Sequence, residues 1–285
     1  MSGLPELQGK VAVVTGGASG IGRGIATALK AEGMTVVIAD VEQRALEATA
    51  AELGVEGIRT DVSDLESVEN LAKEVCNRHG TVHVVCNNAG IGGSAPISGL
   101  KMSDWRWTVG VNLWGVIHGV QVFLPILRAN ADGGHIVNTS SMAGLRVTPG
   151  IGAYTVTKFA VVGLSEVLAE ELAEEWPSVG VSVLCPALVR TNIGNVTRNR
   201  PEQFADGSLG DPAMAASARV LRSRGEGRFV MEPEQVGVLV VNAIKSGDLY
   251  ILTDASAYDR VEERHQRIEA AFKAAAEREA AAPPR

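Results

Sequence analysis

Cysteine is scarce: three of 285 residues, Cys76, Cys86 and Cys185. Odd in number, widely spaced and set in apolar stretches, they read as buried thiols in a reducing compartment, which argues against a disulfide framework or a cysteine-built metal site. Of the five histidines, His79 and His83 stand in an H-x-x-x-H spacing but no matching carboxylate set accompanies them, so no metal centre is expected. Basic charge is short as well. Twenty-six Lys and Arg against 33 Asp and Glu leave a net charge of −7, and without a positive field no nucleic acid partner is expected. No apolar stretch is expected to approach the roughly 18 residues of a membrane span, and the opening MSGLPELQGK has neither a leader pattern nor a lipidation signal. The expectation is a cytoplasmic protein with no membrane partner.

What is present is a rhythm. Val- and Ile-rich runs recur at 10–15, 35–40, 82–87, 135–140, 181–185 and 249–253, and helix-period segments lie between them at 64–79, 101–129, 154–176 and 233–245. Strands that are apolar throughout are buried on both faces. Their alternation with helices predicts an α/β fold, a doubly wound parallel sheet of about seven strands with helices on both faces. One domain over 1–285 is expected, since 46% hydrophobic content supports a full core and no boundary shows. Residues 192–232 break the rhythm with NRP, ADGSLGDP and RSRGEGR and read as a lid. Residues 255–285 read as a polar, Ala-rich helix with a frayed tail.

The first run leads straight into TGGASGIGRG, Thr15–Gly24, which opens a helix. Gly16, Gly20 and Gly22 permit a tight turn whose backbone N–H groups can reach a pyrophosphate at the positive end of the helix dipole; Ser19 and Ile21 share that turn. The spacing G-x-x-x-G-x-G is not the general dinucleotide fingerprint, and Arg23-Gly24 rules out a P-loop. Asp40 closes the second run, where a carboxylate can accept hydrogen bonds from an adenosine ribose. With Ala39, Val41 and Ser19 around it, no neighbour in sequence offsets a 2′-phosphate, so NAD is expected rather than NADP. The competing reading of Asp40 is a helix N-cap ahead of VEQRALEA, and both roles can coexist.

The glycine turn, NNAG at 87–90, Asn112 in GVNLWG, Ser141 in TSSMAG and YTVTK at 154–158 together resemble the short-chain dehydrogenase/reductase family, in its compact NAD(P)-dependent branch. The resemblance runs from about 8 to 253. It implies an oxidoreductase working between NAD(H) and a secondary alcohol or ketone, with Asn112, Ser141, Tyr154 and Lys158 as the catalytic set. On a helix Tyr154 and Lys158 share a face. Two unit charges about 4 Å apart at an effective dielectric near 20 interact by roughly 4 kcal/mol, enough to bring a phenol that titrates near 10 into the working range of an acid/base. Ser141 matches the substrate-orienting serine, with Ser140 one residue too far from Tyr154, and Asn112 matches the position that holds a water linking Lys158 to solvent.

By the same match Asp61 and Val62 look like adenine contacts, Asn88 and Gly90 lie along the cofactor with Tyr154 and Lys158, and Val189 and Thr191 look like nicotinamide contacts. Where the family usually has Pro-Gly, this chain has Pro186-Ala187, which leaves the path of 187–191 open. The lid's length suggests a bulky aryl or alicyclic substrate, and one of its six arginines is a candidate for an acidic substrate group. A homotetramer or homodimer is expected. The alternative is a non-catalytic NAD-sensing or scaffold protein, against which the complete catalytic set argues.

Overall fold

Six of the runs read from the sequence form strands, and a seventh strand joins them. In a computed structural model, which describes residues 3–222 and 230–281, the strands are β1 (Val11–Thr15), β2 (Thr35–Asp40), β3 (Glu56–Arg59), β4 (Val84–Asn87), β5 (Gly134–Thr139), β6 (Val179–Cys185) and β7 (Tyr250–Leu252). They make one parallel sheet in the order β3-β2-β1-β4-β5-β6-β7. The order reverses between β1 and β4, and a crevice opens beyond the carboxyl ends of the strands at such a switch point.

Alternate side chains of each strand feed two cores. Ala12, Val14, Val36 and Ile38 point to the face covered by α1 (Gly20–Ala31) and α8 (Pro233–Ser246), among Ile25, Leu29, Val240 and Ile244. Val11, Val13, Val37 and Ala39 point to the other face, among Leu71, Phe123, Leu127 and Leu172. That side belongs to α3 (Leu65–His79), α5 (Gly115–Ala129) and α6 (Gly152–Glu175). Each large side chain sealed this way contributes about 1.5–3 kcal/mol relative to exposure.

The segment 101–129 is one helical run with an irregular centre: α4 (Met102–Val109), a π turn (Gly110–Trp114) and α5. Its 28 residues include an 18-residue window of mean hydropathy 1.5, long and apolar enough to cross a membrane by length and composition, against the expectation that no apolar stretch approaches that length. Val116, Val120, Phe123 and Leu127 bury one stripe of it against the sheet, as a core helix does.

α2 (Gln43–Leu53) follows β2, and the excursion between β6 and α8 carries two short 3₁₀ turns and α7 (Pro212–Arg222). The chain divides into two compact units, Met1–Thr253 and Asp254–Arg285. In the second, Asp254 accepts a hydrogen bond from the Ser256 backbone N–H (2.8 Å) ahead of α9 (Tyr258–Ala281). The expected fray at 282–285 lies outside the described residues, as does 223–229 of the lid.

Candidate active site

The carboxyl ends of β1, β2, β4, β5 and β6 frame a cleft of about 1190 Å³, open solvent at its mouth included. Of the predicted residues, Gly16, Ser19, Gly20, Ile21, Asp40, Asp61, Val62, Asn88, Gly90, Tyr154, Lys158 and Thr191 line it. The turn from β1 to α1 is built as a cradle. Gly16 has a φ of +65°, and a Cβ at Gly22 would stand 2.1 Å from the Gly16 carbonyl oxygen, so Gly22 lies beneath the turn rather than in the cleft. Ser19, the N-cap of α1, makes no side-chain cap bond, and no acidic residue stands in the first turn. The positive helix end therefore faces the cleft uncompensated, which fits a pyrophosphate.

At the far end, Asp40 accepts from the backbone N–H groups of Ala18 (3.2 Å) and Glu42 (3.1 Å). It thus serves the entry to α2, although Glu42 is the N-cap residue. Burial pushes its carboxyl above the usual range against those two hydrogen bonds. Ribose hydroxyls would satisfy such a group, whereas another anion would add repulsion. Asp61 accepts from the Ser63 backbone (2.9 Å) and hydroxyl (2.7 Å), fixing the loop that follows β3. Asn88 is tied to β1 through the Thr15 hydroxyl and carbonyl, both at 3.0 Å. The donor set and the cradle fit a dinucleotide.

Of the catalytic candidates, Tyr154 and Lys158 line the cleft, as does Ser140, whereas Ser141 and Asn112 are not among its lining residues. Lys158 is buried, and its Nζ donates to the Thr139 carbonyl (2.8 Å) while lying 5.5 Å from the Tyr154 ring centroid. Ser141 caps a 3₁₀ turn by accepting from the Ala143 N–H (3.1 Å), donates to the Pro186 carbonyl (3.4 Å), and hydrogen-bonds Tyr154. Ser140, by contrast, donates to the Lys158 carbonyl (2.7 Å) and so clamps α6 to β5. Asn112, fully buried in the π turn, accepts from the Ile91 N–H (2.8 Å) and donates to the Ile91 carbonyl (2.9 Å). Its side chain thus locks the 90–91 loop; a Cβ at Gly90 would sit 3.4 Å from Asn112 Oδ1 and 3.7 Å from Lys158 Nζ.

Electrostatics here differ from the sequence arithmetic. Burial pushes the Tyr154 phenol up, partly offset by the Ser141 hydrogen bond, and pushes Lys158 down to about 8. The expected Lys158-driven lowering of the phenol is absent from the protein's own groups because the ammonium is itself desolvated and drawn to Thr139.

Val189 pairs with Met231 in a β-bridge and packs against the core instead of lining the cleft. Ala187 donates to the Thr253 hydroxyl (2.8 Å), and among the described residues every positive φ belongs to a glycine, so the Pro-Ala variation adopts ordinary backbone. The excursion straps across the cleft. Arg198 Nε and Asn199 Nδ2 both donate to Glu42 Oε1 (2.8 and 2.7 Å) beside the Asp40 end. On the opposite side Arg200 pairs with Asp104 (3.2 Å) and lies 4.9 Å from the Trp107 ring centroid. Two of the six arginines considered for substrate are therefore engaged within the protein; Arg224 and Arg228 lie outside the described residues, as do the side chains of Arg219 and Arg222.

Sequence reasoning did not place Ile91, Trp107, Val111 or Ile193 at the site, and Trp107 read as a core or inter-subunit residue; all four line the cleft and give it apolar surface. Trp107 and Val111, four apart on one helical run, carried a shared-face signal that could have found them. A second cavity of about 190 Å³ adjoins Tyr154, between Gly93, Thr108 and Leu209.

Residues 10–202 match the family described as short chain dehydrogenase. A C alpha-dehydrogenase of Sphingobium sp. is 33% identical over 272 residues, 93% of this chain and 87% of that protein. A 3beta-hydroxysteroid dehydrogenase 2 of Eggerthella lenta is 35% identical over 205 residues, 70% and 78% of the two chains. Among solved structures, a short chain dehydrogenase/reductase from Burkholderia phymatum in complex with NAD superposes with a TM-score of 0.86 at 40% identity, covering 93% of this chain and 95% of that one.

Proposed function

This chain belongs to the short-chain dehydrogenase/reductase family of oxidoreductases, and from that premise we propose that it is an NAD-dependent enzyme interconverting a bulky aryl or alicyclic secondary alcohol and its ketone. The observation that carries this reading is that Tyr154, with Ser141 hydrogen-bonded to it, and Lys158 share one cleft with the Gly16–Gly20 turn and Asp40.

The cleft residues would hold a nicotinamide, which would supply the hydride acceptor or donor. Ser141 and Tyr154 hold the substrate oxygen between them. In reduction, the phenol, kept neutral by burial, gives its proton to the carbonyl oxygen as negative charge develops there. In oxidation the same oxygen atom of Tyr154 takes the hydroxyl proton as phenolate, its own proton having first been passed on. Lys158, near 8, is poised to pass a proton onward, and Asn112 holds the adjoining loop in place. Trp107, Ile91, Val111 and Ile193 give a ring-bearing substrate an apolar wall without hydrogen-bond demands.

NAD is favoured by Asp40, since Arg198, the one lid cation lining the cleft among the described residues, is held by Glu42. We further propose that the chain works as a homo-oligomer in the cytoplasm. The test of activity is NADH formation from a panel of aryl, alicyclic, steroidal and polyol alcohols: turnover confined to the polyols contradicts the apolar-wall reading. Asp40→Ala is expected to weaken NADH binding and narrow the gap to NADPH. Unchanged dissociation constants for both would remove Asp40 from cofactor choice.

A further inference from the structure

α9 is a 24-residue helix in which no residue is buried. Isolated helices gain little net stability from backbone bonds alone, and most helices in proteins are held by packing an amphipathic face. α9 has such a face. Tyr258, Val261, His265, Ile268, Phe272 and Ala275 follow one another at alternating spacings of three and four, the a and d positions of a heptad repeat. Tyr258 is 62% exposed and Phe272 74%, unusual for aromatic side chains on a regular stripe. The remaining positions are polar or alanine, and the Glu269–Lys273 pair at 2.7 Å supports the helix along its flank.

From this pattern we propose that α9 forms a parallel two-stranded coiled coil with the α9 of a second copy of this chain. Charge decides the orientation. With Tyr258 at a, Glu262 and Glu269 fall at e, and Arg264 and Arg278 at g. Parallel strands place g of one heptad against e of the next on the partner, which sets Arg264 opposite Glu269 on both sides of the seam. Antiparallel strands would set e against e and g against g, bringing glutamates to glutamates and arginines to arginines. His265, the one polar residue in the first two heptads of the seam, would fix the register as a single polar a-position residue does.

The proposal adds a named seam to the homo-oligomer proposed above and is independent of the chemistry in the cleft. The experiment uses the full chain with cysteines introduced at two sites, Ala275→Cys at d and Ala270→Cys at the outward f position. Under mild oxidation Ala275→Cys should cross-link into a covalent dimer on a non-reducing gel, while Ala270→Cys and the wild type should not. Ile268→Glu combined with Phe272→Glu should lower the light-scattering mass about twofold with turnover kept. A wild-type oligomer whose mass survives Ile268→Glu/Phe272→Glu, with no cross-link through Ala275→Cys, overturns the seam and leaves the oligomer standing. A monomeric wild type overturns both.

Discussion

Removing the carboxylate of Asp104 should release the substrate side of the lid while leaving the sheet intact. Asp104 is fully buried at 0% side-chain exposure, beside Arg200 at 7%. It accepts from the backbone N–H groups of Lys101 (3.0 Å), Ser208 (2.8 Å) and Leu209 (3.0 Å), from the Ser208 hydroxyl (2.7 Å), and from Arg200. Deleting one partner of a buried ion pair costs about 3–5 kcal/mol, because the remaining charge stays buried without compensation. The loss falls on the docking of the 200–211 segment onto α4, since the sheet's cores do not include these residues. Converted at about 1.4 kcal/mol per factor of ten, Asp104→Ala should speed amide exchange at Ser208 and Leu209 by roughly a hundredfold or more. Asp104→Asn, which keeps the shape but turns one acceptor into a donor, should fall between. Burial works to raise the Asp104 carboxyl, yet the hydrogen bonds from Ser208, Leu209 and Lys101 outweigh it and hold it below the usual range. Docking should thus be complete above about pH 3.9, where the free carboxyl ionises, and be lost as pH falls through the lower folded value. Hydrogen-exchange mass spectrometry reads both effects. If amides 200–211 exchange in Asp104→Ala as in the wild type, the anchor assigned to Asp104 does not exist.

Two further outcomes follow from the buried titratable groups. His135 is fully buried on β5, hydrogen-bonded to Ser182 through Nε2 (2.8 Å), and burial holds its pKa down to about 3. The unfolded chain binds this proton below about 6.5 and the folded one does not, so the histidine's contribution is full above 6.5 and shrinks by about 1.4 kcal/mol per unit as pH falls below it. Between pH 7.5 and 5 the wild type should lose about 2 kcal/mol more than His135→Leu in urea unfolding, and parallel losses would refute the assignment. Lys158, held near 8, should place an ionisation of that value in kcat/KM, which reports the free enzyme. Lys158→Met should remove that limb and weaken NADH binding; an unchanged profile would detach Lys158 from the proton path.

The sheet was legible wherever a strand is buried on both faces, because such strands must be apolar throughout. β3 escaped because Glu56–Arg59 buries only Ile58, so the edge strand has no run to read. The π turn escaped because the helical period continues through Gly110–Trp114 while only the hydrogen-bond register changes. Ser141, Tyr154 and Lys158 were legible as a group through the order of their motifs, and local helix geometry brings Tyr154 and Lys158 to one face. The balance of their proton affinities was not, since it depends on desolvation and on the Thr139 carbonyl, a residue 19 positions from Lys158. The lid was visible only as a break in rhythm. What organises it, Asp104 with Arg200 and Glu42 with Arg198, joins residues 96 and 156 positions apart, a separation at which periodicity carries no information.

The central claim is that Tyr154 exchanges the proton in an NAD-linked alcohol oxidation. Tyr154→Phe removes one oxygen atom and leaves the ring in place, so NADH binding, followed by fluorescence titration, should stay close to that of the wild type. NADH formation from the alcohol the wild type oxidises should fall by at least about a hundredfold, at the lower end of what a positioned acid/base contributes. Turnover by Tyr154→Phe at a rate comparable to the wild type would contradict the account.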